Sequence, residues 1–173
     1  MGVGTSLTLR PDVPMGFVGG VPYVAALAVA RELGERVAWP HSVVTGSGEP
    51  LVSVDARAGY EGGLLVRCDL AWDAEKNLDA AALERAVEDA VGAWAADVAA
   101  GRACAGPLAP ALGDYFDALL GMGEKVEVVR GGRAIARGEL AGVDVWGRAT
   151  VRLEGGAQEL ELAPEQATLR PAR

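Results

Sequence analysis

Few groupings in this chain combine the residue types and the spacing that chemistry requires. Two glycine-rich stretches, Gly2-Val3-Gly4-Thr5-Ser6 and Gly121-Met122-Gly123-Glu124-Lys125, superficially resemble phosphate-cradling loops. Neither has the full glycine spacing with Lys-Ser/Thr at the start of a helix, so both read as turns. Gly46-Ser47-Gly48 lacks the spacing of a nucleophile elbow, and a serine triad would have to use His41, the one histidine in the chain. A single histidine also excludes a His-cluster metal site. The two cysteines, Cys68 and Cys104, form no CxxC pair, which excludes a zinc ribbon and a disulfide framework and fits a reducing compartment. Cys68 lies in an apolar run beside Asp69, where it reads as a small core residue, because a neighbouring negative charge raises a thiol pKa. Glu84, Glu88, Asp89 and Asp97 fall on the solvent face of a helical pattern, where solubility explains them without acid–base work. Joining two anions requires cations, and before Lys76 the sequence offers only Arg10, Arg31, Arg36, Arg57 and Arg67.

The chain that must position these groups has 173 residues, half of them apolar, and a mean hydropathy of +0.19. At that size roughly 70% of the unfolded chain's surface can be buried, enough for one domain or one domain with a small appendage. The formal charge is −8 and the pI about 4.7, which repels phosphate polymers and anionic lipid, so neither nucleic acid nor a membrane is an expected partner. The longest apolar run, Val21 to Ala30, ends at Arg31-Glu32, at about half of the ~20 residues a membrane span needs. Ala28-Val29-Ala30 imitates a signal-peptidase site, but Pro11, Asp12 and Pro14 precede it with Arg10 as the one basic residue, and the expected location is cytoplasmic.

The pattern predicts an α/β (α+β) chain in two parts, 1–123 and 124–173. Residues 3–9 read as a strand ending at Arg10-Pro11. A helix follows with Pro22 in its first turn, with Val24, Leu27, Ala28 and Leu33 roughly on one face and Gly34 as its stop. Arg36 to Trp39 is a short strand broken by Pro40. Leu51–Val54 and Leu64–Leu70 form a hairpin turning at 59–63. From Asp79, a plausible N-cap, Leu83, Val87, Val91, Trp94 and Val98 recur at helical steps, and Gly101 closes that helix. A further helix carries Leu108, Leu112, Phe116 and Leu119. From Lys125 onward, short β-like runs at 126–129, 134–140, 149–153, 160–162 and 167–169, separated by glycines, predict a small SH3-like barrel of five strands.

This order is similar to that of the second half of the biotin protein ligases, within the biotin/lipoate ligase family, and two segments carry the resemblance. Ala38-Trp39-Pro40-His41-Ser42-Val43-Val44 looks like the family's Lys-Trp-Pro-Asn-Asp-hydrophobic motif. Gly138 to Ala149, with Gly155-Gly156 and Thr168-Leu169-Arg170, looks like its C-terminal barrel, with the G-x-a-x-G-I-D-x-x-G pattern and terminal x-L-R. The resemblance implies a partial class II synthetase-like sheet-and-helix domain followed by the barrel. As activity it implies ATP-dependent formation of biotinyl-adenylate, with biotin and Mg-ATP as the cofactors if that activity is retained, and transfer to a biotin carrier protein. The departures fall on the working positions. The motif lysine is Ala38, its asparagine His41 and its aspartate Ser42, while the later lysine falls at Glu49 or Pro50 and the family's Gly-Ile-Asn strand end is Asp69-Leu70-Ala71. The family's upstream Ser-Thr pair and Gly-Arg-Gly-Arg biotin loop have no counterpart before the first strand, which should leave an unpaired sheet edge.

The expectation is therefore a degenerate relative without catalytic residues or metal, kept as a scaffold for a protein partner or for self-association through that edge. The alternatives are one subunit of a split ligase completed in trans, or a small-ligand module holding a biotin-like or acyl group. In either ligand case the candidate binding residues are Trp39, Pro40, His41 and Ser42, with Trp39 as pocket wall or simply as a core residue.

Overall fold

The computed structural model describes residues 2–172 and contains two five-stranded antiparallel sheets and three α-helices. The first sheet is built from β1 (Gly2–Leu9), β2 (Arg36–Ala38), β3 (Ser42–Val44), β4 (Pro50–Tyr60) and β5 (Leu64–Asp73), in the order β1-β5-β4-β3-β2. β2 to β5 run as a meander, and β1 lies against the far side of β5 with Ser6 opposite Asp69 and Leu7 opposite Cys68. Alternation along the strands sends Leu7, Leu9, Val52, Val54, Val66, Cys68, Leu70 and Trp72 to one buried face. Burial and the neighbouring Asp69 push the Cys68 thiol up to about 11, so it stays a protonated core group.

Two helices cover that face. In α1 (Val21–Leu33), Pro22 occupies the first turn and Gly34, in left-handed conformation at φ +68°, ends the helix by donating to the carbonyls of Ala30 and Arg31. The expected single apolar face is corrected here: Val21 and Tyr23 to Ala30 are all buried, because α1 is enclosed by the sheet on one side and by the second helix on the other. With the preceding 3-10 turn (Met15–Gly20) this gives Met15–Leu33 the length and composition of a membrane span, but α1 is used as the central core helix. In α2 (Ala80–Ala99), the Asp79 carboxylate accepts from the Ala82 amide at 3.1 Å, and Leu83, Val87, Val91 and Trp94 form the buried stripe.

Two expectations need correction. The helix after the loop is only α3 (Leu112–Ala118), because Leu108 lies in turns closed around Pro107 and Pro110, and Tyr115 rather than Phe116 is its buried anchor. Ser42–Val44 is a strand that the apolar pattern left unassigned, too short to show alternation and held by neighbours on both sides.

The second sheet comprises β6 (Lys125–Arg130), β7 (Arg133–Val143), β8 (Ala149–Leu153), β9 (Glu159–Leu162) and β10 (Thr168–Pro171), in the order β10-β6-β7-β8-β9. It has the five strands and the size expected of an SH3-like barrel. No ladder joins β9 to β10 among the described residues, so the barrel stays open between these two four-residue strands. Its outer face is a charge ladder in which Glu127, 6% exposed, accepts from Arg137 on β7 and from Arg170 on β10. These two guanidinium groups hold the Glu127 carboxyl below the usual carboxylate range.

Candidate functional site: the clasp and the cleft beside it

The two segments that attracted notice in the sequence meet in space. β2 ends at Ala38, and the next residue, Trp39, is 3% exposed and donates its indole Nε1–H to the Gly147 carbonyl at 2.9 Å. Tyr23 of α1 donates to the same oxygen at 2.7 Å. The acceptor sits in a tight turn that the Asp144 carboxylate organises: Oδ1 takes the Trp146 and Arg148 amides at 2.8 and 3.0 Å, and Oδ2 takes Arg148 Nε at 2.8 Å. Gly147 has φ +83°, and a Cβ there would lie 2.4 Å from the Tyr23 ring, so glycine is required twice over. Nearby, Leu108 N donates to Val145 O and Leu120 N to Val37 O, extending the junction along the chain. The Trp-Pro segment and the Asp-x-x-Gly turn thus form a clasp that fixes the open barrel to the helix–sheet layer.

A cleft of about 510 Å³ opens beside the clasp. Ala38, Trp39, Pro40, Ser42 and Val44 line it from the sheet side, Leu120 from the segment after α3, and Val126, Leu140 and Leu169 from the barrel side. Its wall is mostly apolar, and its charged lining groups are Glu124, Lys125 and Arg170. Arg170 is tied to Glu127 at 2.7 Å, which leaves Lys125 as the lining cation with no ion pair among the described residues.

Of the four residues expected to bind a ligand, Trp39, Pro40 and Ser42 line this cleft, and His41 does not. The His41 ring turns inward, with Nδ1 2.9 Å from the Val54 carbonyl, and packs edge-on against Tyr23 at a centroid distance of 5.4 Å. Burial lowers its pKa, against smaller raising effects from the Val54 carbonyl and Asp55, so the imidazole is neutral at physiological pH and donates through Nδ1. Tyr115, whose hydroxyl donates to Pro40 O at 2.7 Å, holds the Trp-Pro segment from below. Pro50 also lines the cleft, while Glu49 lies exposed at the preceding turn.

The sheet face opposite the helices is bare and polar. Ser6, Asp69 and Asp55 form one row across β1, β5 and β4, and Thr8, Arg67 and Arg57 form the next. Both arginines are occupied by their neighbours: Arg57 bonds Asp55 twice, at 3.2 and 3.0 Å, and Arg67 Nε bonds Ser6 Oγ, itself 2.6 Å from Asp69. Sequence reasoning missed Tyr23 and Lys125. A tyrosine interrupting an otherwise Val/Ala helix was the available signal for Tyr23; Lys125 stands in the Gly121–Lys125 stretch compared with phosphate loops, which reads as a turn with no role for the lysine.

This arrangement of a helix-covered antiparallel sheet clasped to a five-stranded open barrel is the biotin protein ligase fold. The apo biotin protein ligase of Aquifex aeolicus superposes with a TM-score of 0.69 at 16% identity, over 99% of this chain and 83% of that one. The same enzyme in complex with biotin and ATP gives 0.68 at 16% identity, over 99% and 79%. A biotin protein ligase-like protein of unknown function from Silicibacter sp. gives 0.67 at 16% identity, over 94% and 78%. No family model matches the sequence, and no curated protein matches it.

Proposed function

We propose that this chain is a non-catalytic protein of the biotin ligase fold, kept as a scaffold for a protein partner or for self-association. The observation that carries the reading is the chemistry of the cleft wall. Ala38 stands where the resembled motif has its lysine, Ser42 where it has aspartate, and His41, at the asparagine position, is neutral and spent on the Val54 carbonyl. Activating a carboxylate with ATP requires preorganised cations around the phosphates, and losing one such group typically costs ~10²–10³ in rate. Here the arginines of the bare sheet face are neutralised by their own acidic neighbours. The partner reading draws on β1, an eight-residue end strand with no neighbour on its outer side among the described residues, which can take a second copy or another protein by strand addition. The free thiols and the absence of disulfides among the described residues support a cytoplasmic setting.

A second reading is favoured by the cleft itself. Its volume, apolar wall and single unpaired ammonium, Lys125, suit a small apolar ligand ending in a carboxylate, of the biotin or acyl type. Thermal unfolding separates the readings. A ligand at a hundred times its dissociation constant adds ~2.7 kcal/mol, or roughly 5–11 °C for a chain of this size. Mg-ATP and a non-hydrolysable biotinyl-adenylate mimic are expected to leave the midpoint unchanged, and a shift of that order with either overturns the first reading. A shift with biotin or a medium-chain fatty acid alone establishes the second.

A further inference from the structure

The helical side carries a second concavity, unrelated to the clasp, of about 500 Å³ between α1, α2 and the start of α3. We propose that this groove seats a basic amphipathic helix of a partner protein, an inference that rests on reading the chain as a partner-binding scaffold. Its floor is apolar and built from small groups: Ala28 of α1 faces Ala86, Ala90 and Ala93 of α2, with Leu27 and Trp94 beneath them. Small side chains on both helices leave the space that larger ones would fill. Its rim is acidic, formed by Glu32, Asp89, Asp97 and Asp114; Asp114 is paired with Arg31 at 2.7 Å and Asp97 with Arg102, which leaves Glu32 and Asp89 as the rim carboxylates with no ion pair among the described residues. The wider surface agrees, since residues 1–123 carry sixteen carboxylates against eight Lys and Arg, whereas residues 124–173 are balanced at eight each.

Those features select one class of occupant. Anionic ligands are repelled by the rim, and a neutral lipid chain would leave Glu32 and Asp89 without a counter-charge. The stretch of α2 from Ala86 to Asp97 is ~17 Å long at ~1.5 Å per residue, matching three turns of a partner helix. A helix with an apolar stripe at i, i+3, i+4 and i+7 fills the alanine floor, and lysines or arginines on either side of the stripe meet the rim. The groove offers no strand edge, so an extended peptide gains no backbone hydrogen bonds there.

The test is an NMR titration of the full ¹⁵N-labelled chain with a fifteen-residue synthetic helix bearing a leucine stripe flanked by lysines. Two controls accompany it, one with glutamates for the lysines and one with serines for the leucines. The expected result is saturable binding with shifts confined to α1, α2 and α3, weakened by salt, and absent with both controls. Ala93→Arg, at an exposed position, and the double variant Glu32→Lys with Asp89→Lys, also exposed, should each raise the dissociation constant at least tenfold. Should Ala93→Arg fail to fold, the double surface variant decides. No binding, shifts centred elsewhere, equal binding of the serine control, or a dissociation constant unmoved in the folded variants overturns the proposal. None of these outcomes bears on the absence of ligase chemistry, which is read from nucleotide turnover.

Discussion

Gly147 is the residue on which the junction turns, because its carbonyl accepts from both Trp39 and Tyr23 and its Cα faces the Tyr23 ring. Gly147→Ala combines a strained positive φ with a clash against a buried aromatic, and should cost about 2–4 kcal/mol in urea unfolding. A loss below about 0.5 kcal/mol would mean the clasp does not hold the two layers together. His41 makes a separate statement through pH. Its folded pKa is depressed by burial, so on acidification the unfolded chain takes the proton first. The stability it contributes is complete above the ordinary value of about 6.5 and is lost as pH falls below it. The melting temperature should therefore drop between pH 7.5 and 5.5, and His41→Gln should flatten that part of the profile; identical slopes in the two proteins would contradict the buried, neutral assignment.

Among the elements, α2 was the most legible, because an N-cap and five apolar residues at steps of three and four specify a helix with little help from the rest of the chain. The cap is worth testing: Asp79→Ala should remove about 1 kcal/mol of stability, measured by the shift in denaturation midpoint, and no change would mean the Ala82 amide is equally well served by water. The other helices were less legible for physical reasons. α1 is buried from Tyr23 to Ala30 and shows no polar stripe there to mark its faces, and α3 owes its start to turns around prolines that an apolar periodicity passes over. β3 is three residues held between two partners, below the length at which alternation can be read. Trp39, Pro40 and Ser42 were recognisable as a cluster in sequence. That they share a cleft with Leu169 and Lys125 was not, since those residues come together only when β10 and β6 dock against the β2–β3 corner. His41 illustrates the limit most plainly, because sequence places it between cleft residues while the backbone aims its ring into the core.

At the scale of the whole molecule, packing and chemistry are separate on the proposed reading. The buried stripe of α2, the core strands and the clasp hold the biotin protein ligase fold at 16% identity to the solved enzyme, while the lysine and aspartate positions of the resembled motif are Ala38 and Ser42 and its asparagine position is His41. Core packing tolerates such drift, provided volume and pattern are kept. Transition-state charge stabilisation does not, because each group must stand at a fixed place. The uneven charge supports the same view: the helix–sheet layer carries the entire net −8, a poor environment for a triphosphate, and the barrel cancels its own charges through pairs such as Arg137–Glu127 and Arg148–Asp144. A ligase fold without ligase turnover is the proposal that biotin-dependent exchange of labelled pyrophosphate into ATP decides. The purified chain should show no exchange above the level seen without biotin, and exchange that appears only when biotin is added would show that it activates biotin after all.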